Sequence, residues 1–352
     1  MRILYIGTNK MNYSVDGVYI KGLRKNGVEV FDYSLYGMKG LNLHVRAIKL
    51  YFKHAKNIDY VMVGYDSPKI IITLWPLCRK KIIYNALCSV YERLIVSRGL
   101  AGAKSIKGYY YWLLDFLACR FSALVMLESE HQIEYFQKLF KLTREKFYLA
   151  RIGVDDDIFF AKPGIKKFKE FTVLFRGRLL PEAGGELVVR AAKILENHPI
   201  HFLMLANGMG LDSVQKLIDE LKPKNLKLVS EFLPDGELLM TMEQCHVSLG
   251  QLSNHERLER TIPHKAYESL ALKLTYLTAR NPGVMELLKE GDTCLAFTPG
   301  DERDFADKIL WAYGHREKIK KIAENGYALF HDSLTAKKLG EKVIQKIEKI
   351  SR

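Results

Sequence analysis

The chain has 352 residues, of which 48% are hydrophobic and 27% are charged, a composition typical of a packed globular protein. It excludes a disordered chain, a collagen-like repeat and a disulfide scaffold, and the length is that of about two domains. Lys and Arg together number 54 against 40 Asp and Glu, which gives a formal net charge of +14. This surplus favours an anionic partner: a phosphate-bearing substrate, an anionic lipid surface or a nucleic acid.

The five cysteines indicate neither a zinc site nor a disulfide framework, because none form a C-x-x-C pair and their number is odd. We expect buried, reduced thiols in a cytoplasmic protein. The opening run MRILYIG lacks the apolar length and the cleavage site of a secretory signal. No stretch approaches about 18 uninterrupted apolar residues, so no membrane-spanning helix is expected.

The first half alternates short apolar strands with helical patterns, which predicts a parallel, doubly wound sheet. The predicted strands are Ile3–Ile6, Val28–Tyr33, Tyr60–Val63, Lys81–Tyr84, Leu124–Leu127 and Phe147–Arg151. The predicted helices are Val18–Asn26, Leu43–His54, Pro68–Cys78, Tyr110–Cys119 and Glu130–Phe140. The polar, basic stretch Ala161–Glu170 is typical of a linker.

The alternation restarts after this linker. The predicted strands are Phe171–Phe175, Ile200–Leu205, Leu226–Val229, Val247–Gly250, Thr275–Thr278 and Cys294–Thr298. The predicted helices are Gly184–Asn197, Leu211–Leu221, Asp235–Cys245, Pro263–Leu272, Gly283–Glu290, Asp301–Tyr313, Glu317–Phe330 and Thr335–Ile350. We therefore predict two domains, 1–160 and 161–334, with the last helix, 335–352, as a candidate to pack back on the first. Residues 1–160 carry 24 Lys and Arg against 14 Asp and Glu, so most of the positive charge lies there.

The segment FRGRLLPEAGGE, Phe175–Glu186, predicts a strand that ends near Gly177 and Arg178 and a helix that starts near Gly184 and Gly185. Glycines at such a turn let a phosphate approach the backbone, and the N-terminus of the helix supplies free N–H groups. Arg178 has the forked donors that a diphosphate accepts. The same residues also fit a plain loop with a surface arginine.

The segment TIPHKAYESLALKLTYLTA, Thr261–Ala279, predicts a helix that starts at Pro263. Lys265 and Glu268 are three residues apart and therefore share one helical face. A lysine there can meet a phosphate, and a glutamate can accept hydrogen bonds from ribose hydroxyls. The alternative is an ion pair on the surface of the helix.

These segments, together with RIGVDDDIFF (Arg151–Phe160), resemble in their order a retaining glycosyltransferase of the GT-B fold, family 4 type. The family's "I-G-V-D…F" segment has similar residues in this sequence, namely Ile152, Gly153, Val154, Asp155 and Phe159. Its "G-R-L-x-P-E-K-G" motif is similar at Gly177, Arg178, Leu179, Pro181, Glu182 and Gly184. The "R-x-I-P-N-K-x-x-E" motif of one branch is similar at Arg260, Ile262, Pro263, Lys265 and Glu268. The "x-G-x-G" turn after the second strand is similar at Asn207, Gly208 and Gly210.

The resemblance implies two Rossmann-like domains that face each other across a cleft, the first on the acceptor side and the second binding a nucleotide sugar. The implied reaction moves a sugar from a UDP- or GDP-sugar to an acceptor hydroxyl with retention, in the synthesis of a cell-surface glycan, glycolipid or polysaccharide. The resemblance implies no metal, no other cofactor and no obligatory side-chain base.

The resemblance also implies roles for individual residues. Arg178, Lys265 and Glu268 would act at the diphosphate and the ribose, and Asn85, which ends the fourth strand, would lie on the acceptor side. The donor would also contact Gly17, Gly177, Gly184, Gly185, Asn207, Gly208, Arg260, Ile262 and Pro263.

The sequence departs from the family pattern in four places. The family's phosphate-binding lysine in "P-E-K-G" is Ala183, and the first of its two glutamates is Arg260. Its usual Gly and Pro before the next strand are Lys273 and Thr275, and its Gly-Gly in the first loop falls in Val15-Asp16-Gly17. We hypothesise that Lys265, with Arg178, neutralises the diphosphate charge that the missing lysine would have met.

Two segments of the first domain combine basic and aromatic residues in a way that suits an anionic membrane surface. The predicted lipid-facing residues of the first segment, 43–56, are Val45, Ile48, Tyr51 and Phe52. Those of the second segment, 98–120, are Tyr109, Tyr110, Tyr111 and Trp112. Both segments also fit helices whose apolar side packs on the sheet, with the charges simply solvated.

Other functions fit the same sequence. Loss of the lysine and the first glutamate permits a non-catalytic GT-B protein that binds donor or acceptor as a partner subunit. A GT-B sugar-nucleotide epimerase is a further alternative. Nucleic-acid binding fits the positive charge, but no recognition-helix, RNP or zinc pattern supports it, so no nucleic-acid partner is expected.

Overall fold

The computed structural model describes residues 1–11 and 15–351 and divides the chain into two compact units. Unit 1 comprises Met1–Asp155 and Ser333–Arg352, and unit 2 comprises Asp156–Asp332. Each unit contains a six-stranded sheet in which all neighbouring strands are parallel. The chain therefore leaves unit 1 once and returns to it at its end.

Unit 1 has the strand order β2-β1-β3-β4-β5-β6, so the order reverses between β1 and β3. Its strands are β1 (Arg2–Gly7), β2 (Glu29–Ser34), β3 (Tyr60–Val63), β4 (Lys81–Leu87), β5 (Leu124–Leu127) and β6 (Phe147–Leu149). Its first five helices are α1 (Val15–Lys25), α2 (Gly40–His54), α3 (Pro68–Leu74), α4 (Ile106–Phe121) and α5 (Glu130–Phe140). A π-helical segment, Glu92–Ser97, which the sequence pattern did not predict, precedes α4.

One apolar core joins the sheet of unit 1 to α2, α3, α4 and α5. Each of these four helices contributes to that core a residue that is at most 2% exposed, namely Leu50, Ile71, Cys119 and Phe136. The helices pack side by side, since α2 contacts α3 and α3 contacts α4. This layer arises because crossovers between parallel strands that advance in one direction are right-handed and leave their helices on one face of the sheet.

Unit 2 has the strand order β12-β11-β10-β7-β8-β9, so its order reverses between β7 and β10. Its strands are β7 (Phe171–Arg178), β8 (Ile200–Asn207), β9 (Leu226–Val229), β10 (Val247–Leu249), β11 (Thr275–Ala279) and β12 (Leu295–Phe297). Its helices are α6 (Gly185–Ile194), α7 (Leu211–Leu221), α8 (Asp235–Gln244), α9 (His264–Ala271), α10 (Pro282–Met285), α11 (Glu302–Gly314) and α12 (Arg316–Ser333). This is the order of a Rossmann fold, and the prediction of two doubly wound sheets is confirmed.

The last helix, α13 (Ala336–Ser351), packs on α1 within unit 1. The two helices meet through glycines: a Cβ on Gly22 would lie 2.1 Å from the carbonyl oxygen of Ala336, and a Cβ on Gly340 would lie 2.3 Å from the carbonyl carbon of Gly22. Gly153 has a φ of 64°, and a Cβ there would lie 2.5 Å from Cδ1 of Leu339. The I-G-V-D segment therefore has a packing role under α13.

All five cysteines are free thiols, and four of them are buried. Within residues 1–11 and 15–351, the helices are each too short or too polar to cross a membrane.

Candidate functional site

The reversal of strand order in unit 2 marks the edge at which doubly wound sheets bind ligands, outside the carboxyl ends of the strands. There β7 ends at Arg178, and Gly250 follows directly on β10. Gly177 has a φ of 122°, and a Cβ at this position would lie 3.1 Å from Cε of Lys265. The glycine therefore leaves room for the lysine side chain to cross the end of β7.

Lys265 is the second residue of α9 and is partly buried. Its ammonium lies 4.2 Å from the ring centroid of Phe175 and 3.5 Å from the carbonyl oxygen of Gly250. Loss of hydration and, next, the positive charge of Arg176 lower the pKa of Lys265 to about 7, whereas Glu182 raises it. An anion bound at this edge would favour the charged lysine, because opposite charge stabilises the protonated form.

Arg176 is a site residue that the sequence pattern missed. It forms an ion pair with Glu268, and the two side chains are only 20% and 11% exposed. Burial lowers the pKa of Arg176 to about 10. The segment Phe175–Glu186 predicts a strand that ends near Gly177 and Arg178, as β7 does, but it gives Arg176 no role. A charged residue at the end of an apolar strand, directly before a glycine, is the signal that would have found it.

Ala183, which replaces the family's phosphate-binding lysine, is not accessible to a ligand. Ala183 is fully buried in the core of unit 2, and its carbonyl oxygen accepts a hydrogen bond of 3.2 Å from the amide of Leu252. The preceding Glu182 is 3% exposed and accepts a hydrogen bond of 2.6 Å from Nη1 of Arg257. This turn is held by packing and by a buried ion pair, so a cation for a ligand has to come from elsewhere.

The two glycines that follow have packing reasons of their own. Gly184 has a φ of 69°, and a Cβ there would lie 3.0 Å from Cβ of Leu252. A Cβ on Gly185, the first residue of α6, would lie 2.5 Å from Cδ2 of Leu179 and 3.1 Å from Cγ2 of Val214. Contact between their amides and a phosphate stays a prediction.

A cavity of about 110 Å³ lies at the ends of β7 and β8. Its lining includes Arg178, which is exposed, and Asn207. Gly208, with a φ of 121°, turns directly against Leu179, whose amide nitrogen would lie 3.1 Å from an added Cβ. Phe232 is 84% exposed and also lines this cavity. The structure thus brings Arg178, Asn207 and Gly208 together at one edge.

The entry to α9 differs in part from the prediction. The helix begins at His264 with Pro263 as its N-cap, one residue later than predicted. Ile262 is 1% exposed, so its side chain belongs to the core, and its contact with a donor stays a prediction. Nη1 of Arg260 lies 3.7 Å from Oε2 of Glu259, and its contact with a donor stays a prediction.

In unit 1, a buried polar network lies where the strand order reverses. Asp16 is fully buried and accepts hydrogen bonds from the hydroxyl of Tyr5 at 2.7 Å, from the amide of Asn85 at 2.9 Å and from the backbone N–H of Tyr65 at 3.1 Å. Burial raises the pKa of Asp16, and these donors oppose the rise. A Cβ on Gly64 would lie 2.6 Å from Oδ2 of Asp16. The sequence pattern did not identify this carboxylate as part of a site.

Asn85 was expected on the acceptor side, but it is 2% exposed and its amide nitrogen donates to Asp16 and to Tyr5. The amide nitrogen therefore holds the network, and a role of Asn85 on the acceptor side stays a prediction. Gly17 lies in the first turn of α1 and is partly buried. Residues 12–14 of the loop before it lie outside the described residues.

Three consecutive carboxylates, Asp155, Asp156 and Asp157, lie within 4.8 Å of one another. Asp155 already forms an ion pair with Lys21. Exposed acidic groups of this kind are common without a metal ion, and the expectation that no metal is used stays a prediction.

The predicted lipid-facing residues divide between core and solvent. Tyr51 is 3% exposed and its hydroxyl accepts a hydrogen bond from the amide of Arg79, so its assignment to a lipid-facing side is wrong. Trp112 packs against Phe116 with ring centroids 5.3 Å apart. Other members of the two sets, however, are exposed at their surface; these are Val45, Phe52, Tyr109 and Tyr110.

Comparison with known proteins agrees with this fold. The family model described as glycosyl transferases group 1 matches residues 155–329, the part of the chain that carries the edge just described. The comparison with curated proteins found no match.

Several solved structures share the fold over nearly the whole chain. Alr3699/HepE from Anabaena, in complex with UDP-glucose, is 15% identical and superposes with a TM-score of 0.75, covering 99% of this chain and 100% of that one. Sucrose-phosphate synthase from Thermosynechococcus elongatus is 13% identical, with a TM-score of 0.77 and 99% of each chain covered. A glycosyltransferase from Rickettsia africae is 15% identical, with a TM-score of 0.68 and 100% and 98% covered. The predicted GT-B fold is therefore confirmed.

Proposed function

We propose that the protein is a glycosyltransferase that moves a sugar from a nucleotide diphosphate sugar to an acceptor hydroxyl, with retention at the anomeric carbon. The observation that carries this proposal is the position of Lys265 at the reversal point of a Rossmann-order sheet, within the segment that matches glycosyl transferases group 1. A diphosphate requires cations and N–H donors at such an edge. Because HepE was solved with UDP-glucose, UDP-sugars are the first donors to test, with GDP-sugars next.

Lys265 takes the role of the family lysine in this proposal. Ala183 is enclosed in the core, whereas Lys265 reaches across Gly177 to the edge where the diphosphate would lie. Arg178, exposed at the end of the same strand, is the second cation. Both would stabilise negative charge that develops on the leaving diphosphate.

Glu268 would accept hydrogen bonds from the ribose hydroxyls. Its ion pair with Arg176 holds the carboxylate at the edge of the sheet. This residue is only 9% exposed, so the pair and its packing fix where the carboxylate would meet the ribose.

The reaction needs no base from the protein in this scheme. The bond between the anomeric carbon and the diphosphate oxygen breaks, and the acceptor oxygen bonds to that carbon on the same face. The acceptor proton passes to the leaving diphosphate, so charge and atoms balance. Lys265 and Arg178 replace the metal ion that neutralises the diphosphate in other transferases.

The acceptor is proposed to be a glycan or a lipid-linked sugar, used in the synthesis of a cell-surface glycan, glycolipid or polysaccharide. The positive charge of unit 1 supports an acceptor at an anionic membrane surface, with the protein peripheral on the cytoplasmic face. A partner subunit that binds donor without transferring it is the second candidate, favoured by the closure of position 183.

Binding and turnover of UDP-sugars test the proposal. UDP should raise the melting temperature of the chain, because a ligand that binds only the folded state stabilises it. Lys265→Ala should weaken UDP binding by roughly 30-fold, since a charge-assisted hydrogen bond to phosphate contributes about 2 kcal/mol. Lys216→Ala, at an exposed lysine of α7, is the matched control.

The outcomes separate the candidates. Release of UDP from a UDP-sugar in the presence of an acceptor supports transfer. UDP binding without release of UDP from the sugar nucleotide, whichever acceptor is present, supports the partner subunit. Release of an epimerised sugar nucleotide would indicate the epimerase. Unchanged UDP affinity in Lys265→Ala would refute the role of this lysine.

A further inference from the structure

The positive charge of the chain belongs entirely to unit 1. Unit 1 contains 30 Lys and Arg against 14 Asp and Glu, a net charge of +16, whereas unit 2 contains 24 against 26, a net charge of −2. Few of these cations are needed at a diphosphate, and the diphosphate edge lies in unit 2. The surplus therefore indicates a separate anionic partner for unit 1.

Three neighbouring helices of unit 1 carry much of this charge. Residues 39–56 contain five Lys and Arg and no acid, residues 68–81 contain four and no acid, and residues 98–121 contain four and one acid. That acid, Asp115, is 2% exposed and accepts hydrogen bonds from Ser89 and Tyr91. These segments hold α2, α3 and α4, which adjoin in that order, and we call them the α2–α4 surface.

The α2–α4 surface is also apolar where a helix normally presents polar residues to water. In the amino-terminal half of α4, Ile106 is 90% exposed, Tyr109 is 62% exposed and Leu113 is 45% exposed. At the end of α3, Trp75 is 50% exposed. Lys69 lies 5.8 Å from the ring centroid of Tyr110, which places a cation among the exposed rings.

We propose that the α2–α4 surface docks unit 1 on a bilayer that contains anionic lipids, with the exposed apolar residues of Ile106–Leu113 inserted at the level of the headgroups. An anionic bilayer satisfies both properties of the surface, since its phosphates meet the cations and its acyl boundary takes up the apolar side chains. The proposal rests on the proposed function only in that this bilayer would carry the acceptor.

Other partners would match either the positive charge or the exposed apolar residues of the α2–α4 surface, but not both. A second copy of the chain would bring two positively charged surfaces together, which like charge opposes. A nucleic acid would neutralise the lysines but leave Ile106 and Leu113 in water. The observations therefore favour the lipid surface over both.

Vesicle binding by the full chain tests the proposal. The chain should sediment with vesicles of phosphatidylcholine and phosphatidylglycerol in equal parts, should not sediment with phosphatidylcholine alone, and should detach in high salt. Lys104→Glu with Lys107→Glu should weaken partition by roughly 30-fold, since each cation near an anionic surface contributes about 1 kcal/mol. Ile106→Glu should weaken it by roughly ten-fold through lost apolar insertion.

The matched controls lie in unit 2. Ile194→Glu changes an isoleucine that is 47% exposed, and Lys216→Glu changes a lysine whose side chain is 79% exposed. Both should bind vesicles like the unchanged chain. Equal losses in the controls would show a general charge effect and overturn the docking site.

The thermal shift with UDP, measured on the same proteins, separates this proposal from the function. A chain that binds UDP but not anionic vesicles overturns the docking and leaves the function standing, and the reverse result leaves the docking standing. Binding to duplex DNA in place of vesicles, or a dimer that Ile106→Glu converts to monomers, would overturn the proposal in favour of the corresponding partner.

Discussion

The two units contain the same kind of sheet but place their charged residues in opposite ways. At the carboxyl edge of the sheet in unit 2, cations lie beside glycine backbone, and Arg176 is held there by the buried carboxylate of Glu268. At the carboxyl edge in unit 1, an acid, Asp16, is buried and surrounded by neutral donors. Many of the cations of unit 1 lie away from this edge, on the α2–α4 surface. The difference teaches that fold fixes where a ligand edge lies, while charge at that edge decides which ligand it takes.

The largest expected effect is a loss of stability in unit 1 that leaves unit 2 unchanged. Gly22→Ala places a Cβ 2.1 Å from the carbonyl oxygen of Ala336, so α1 and α13 have to move apart. We expect unit 1 to lose about 3 kcal/mol of stability, the upper range for overpacking. Hydrogen exchange, read by peptide, should rise in unit 1 and stay unchanged in unit 2.

The control for this change is Gly236→Ala. No atom of the described residues lies within 4 Å of a Cβ at Gly236, whose φ is not in the left-handed region. Exchange should stay unchanged or slow there. If Gly22→Ala left exchange in unit 1 unaltered, the glycine contact would not hold the two helices together.

A smaller effect sharpens the charge contrast through pH. The pKa of Lys265 is lowered to about 7 by loss of hydration and by Arg176, and bound diphosphate favours its charged form. The contribution of Lys265 to UDP affinity should therefore be constant below about pH 6. Above pH 7 the affinity should fall by up to tenfold per pH unit, about 1.4 kcal/mol. Calorimetry in two buffers should detect uptake of a proton on binding.

Lys265→Arg isolates this contribution, because a guanidinium stays protonated throughout the range. The titration of UDP itself is common to both proteins and cancels in the comparison. An identical pH profile for the two proteins would show that Lys265 does not meet the diphosphate.

The smallest expected effect concerns the acidic edge of unit 1. Tyr5→Phe removes one donor to Asp16 and leaves those of Asn85 and Tyr65 in place. Unit 1 should lose about 1 kcal/mol of stability, and UDP affinity should not change. Tyr36→Phe, at a side chain that is 62% exposed, should change neither. A loss of UDP affinity in Tyr5→Phe with unchanged stability would place this network at the donor and weaken the contrast between the units.

Apolar periodicity predicted the architecture well, because buried parallel strands are continuous apolar runs. Several elements have the bounds that the sequence predicted, among them the strands Tyr60–Val63, Leu124–Leu127 and Leu226–Val229 and the helix Glu130–Phe140. The segment Phe175–Glu186 predicted the end of β7 near Arg178 but gave no role to Arg176, which stays in the sheet by pairing with Glu268. Such a pair depends on residues far apart in the chain, and local pattern does not contain it.

The candidate site was predicted in part for the same reason. The spacing of Lys265 and Glu268 follows from the helix, so their placement near the end of β7 was predicted, and their roles stay predictions. Side-chain burial does not follow from spacing: Ile262 and Asn85 lie in the interior, and Tyr51 faces the core instead of solvent. The glycines Gly184 and Gly185 combine a turn with close packing, and a motif alone does not separate the two.

The return of α13 to α1 has a consequence for synthesis on the ribosome. Unit 2 is one continuous stretch, Asp156–Asp332, and all of its residues are made before α13. Unit 1 lacks α13 until residues 336–351 emerge, so α1 has no partner at Gly22 while unit 2 is being made. Domains commonly fold in the order of their synthesis. Here the unit that starts first is completed last, and nascent unit 1 is the form that a chaperone would meet.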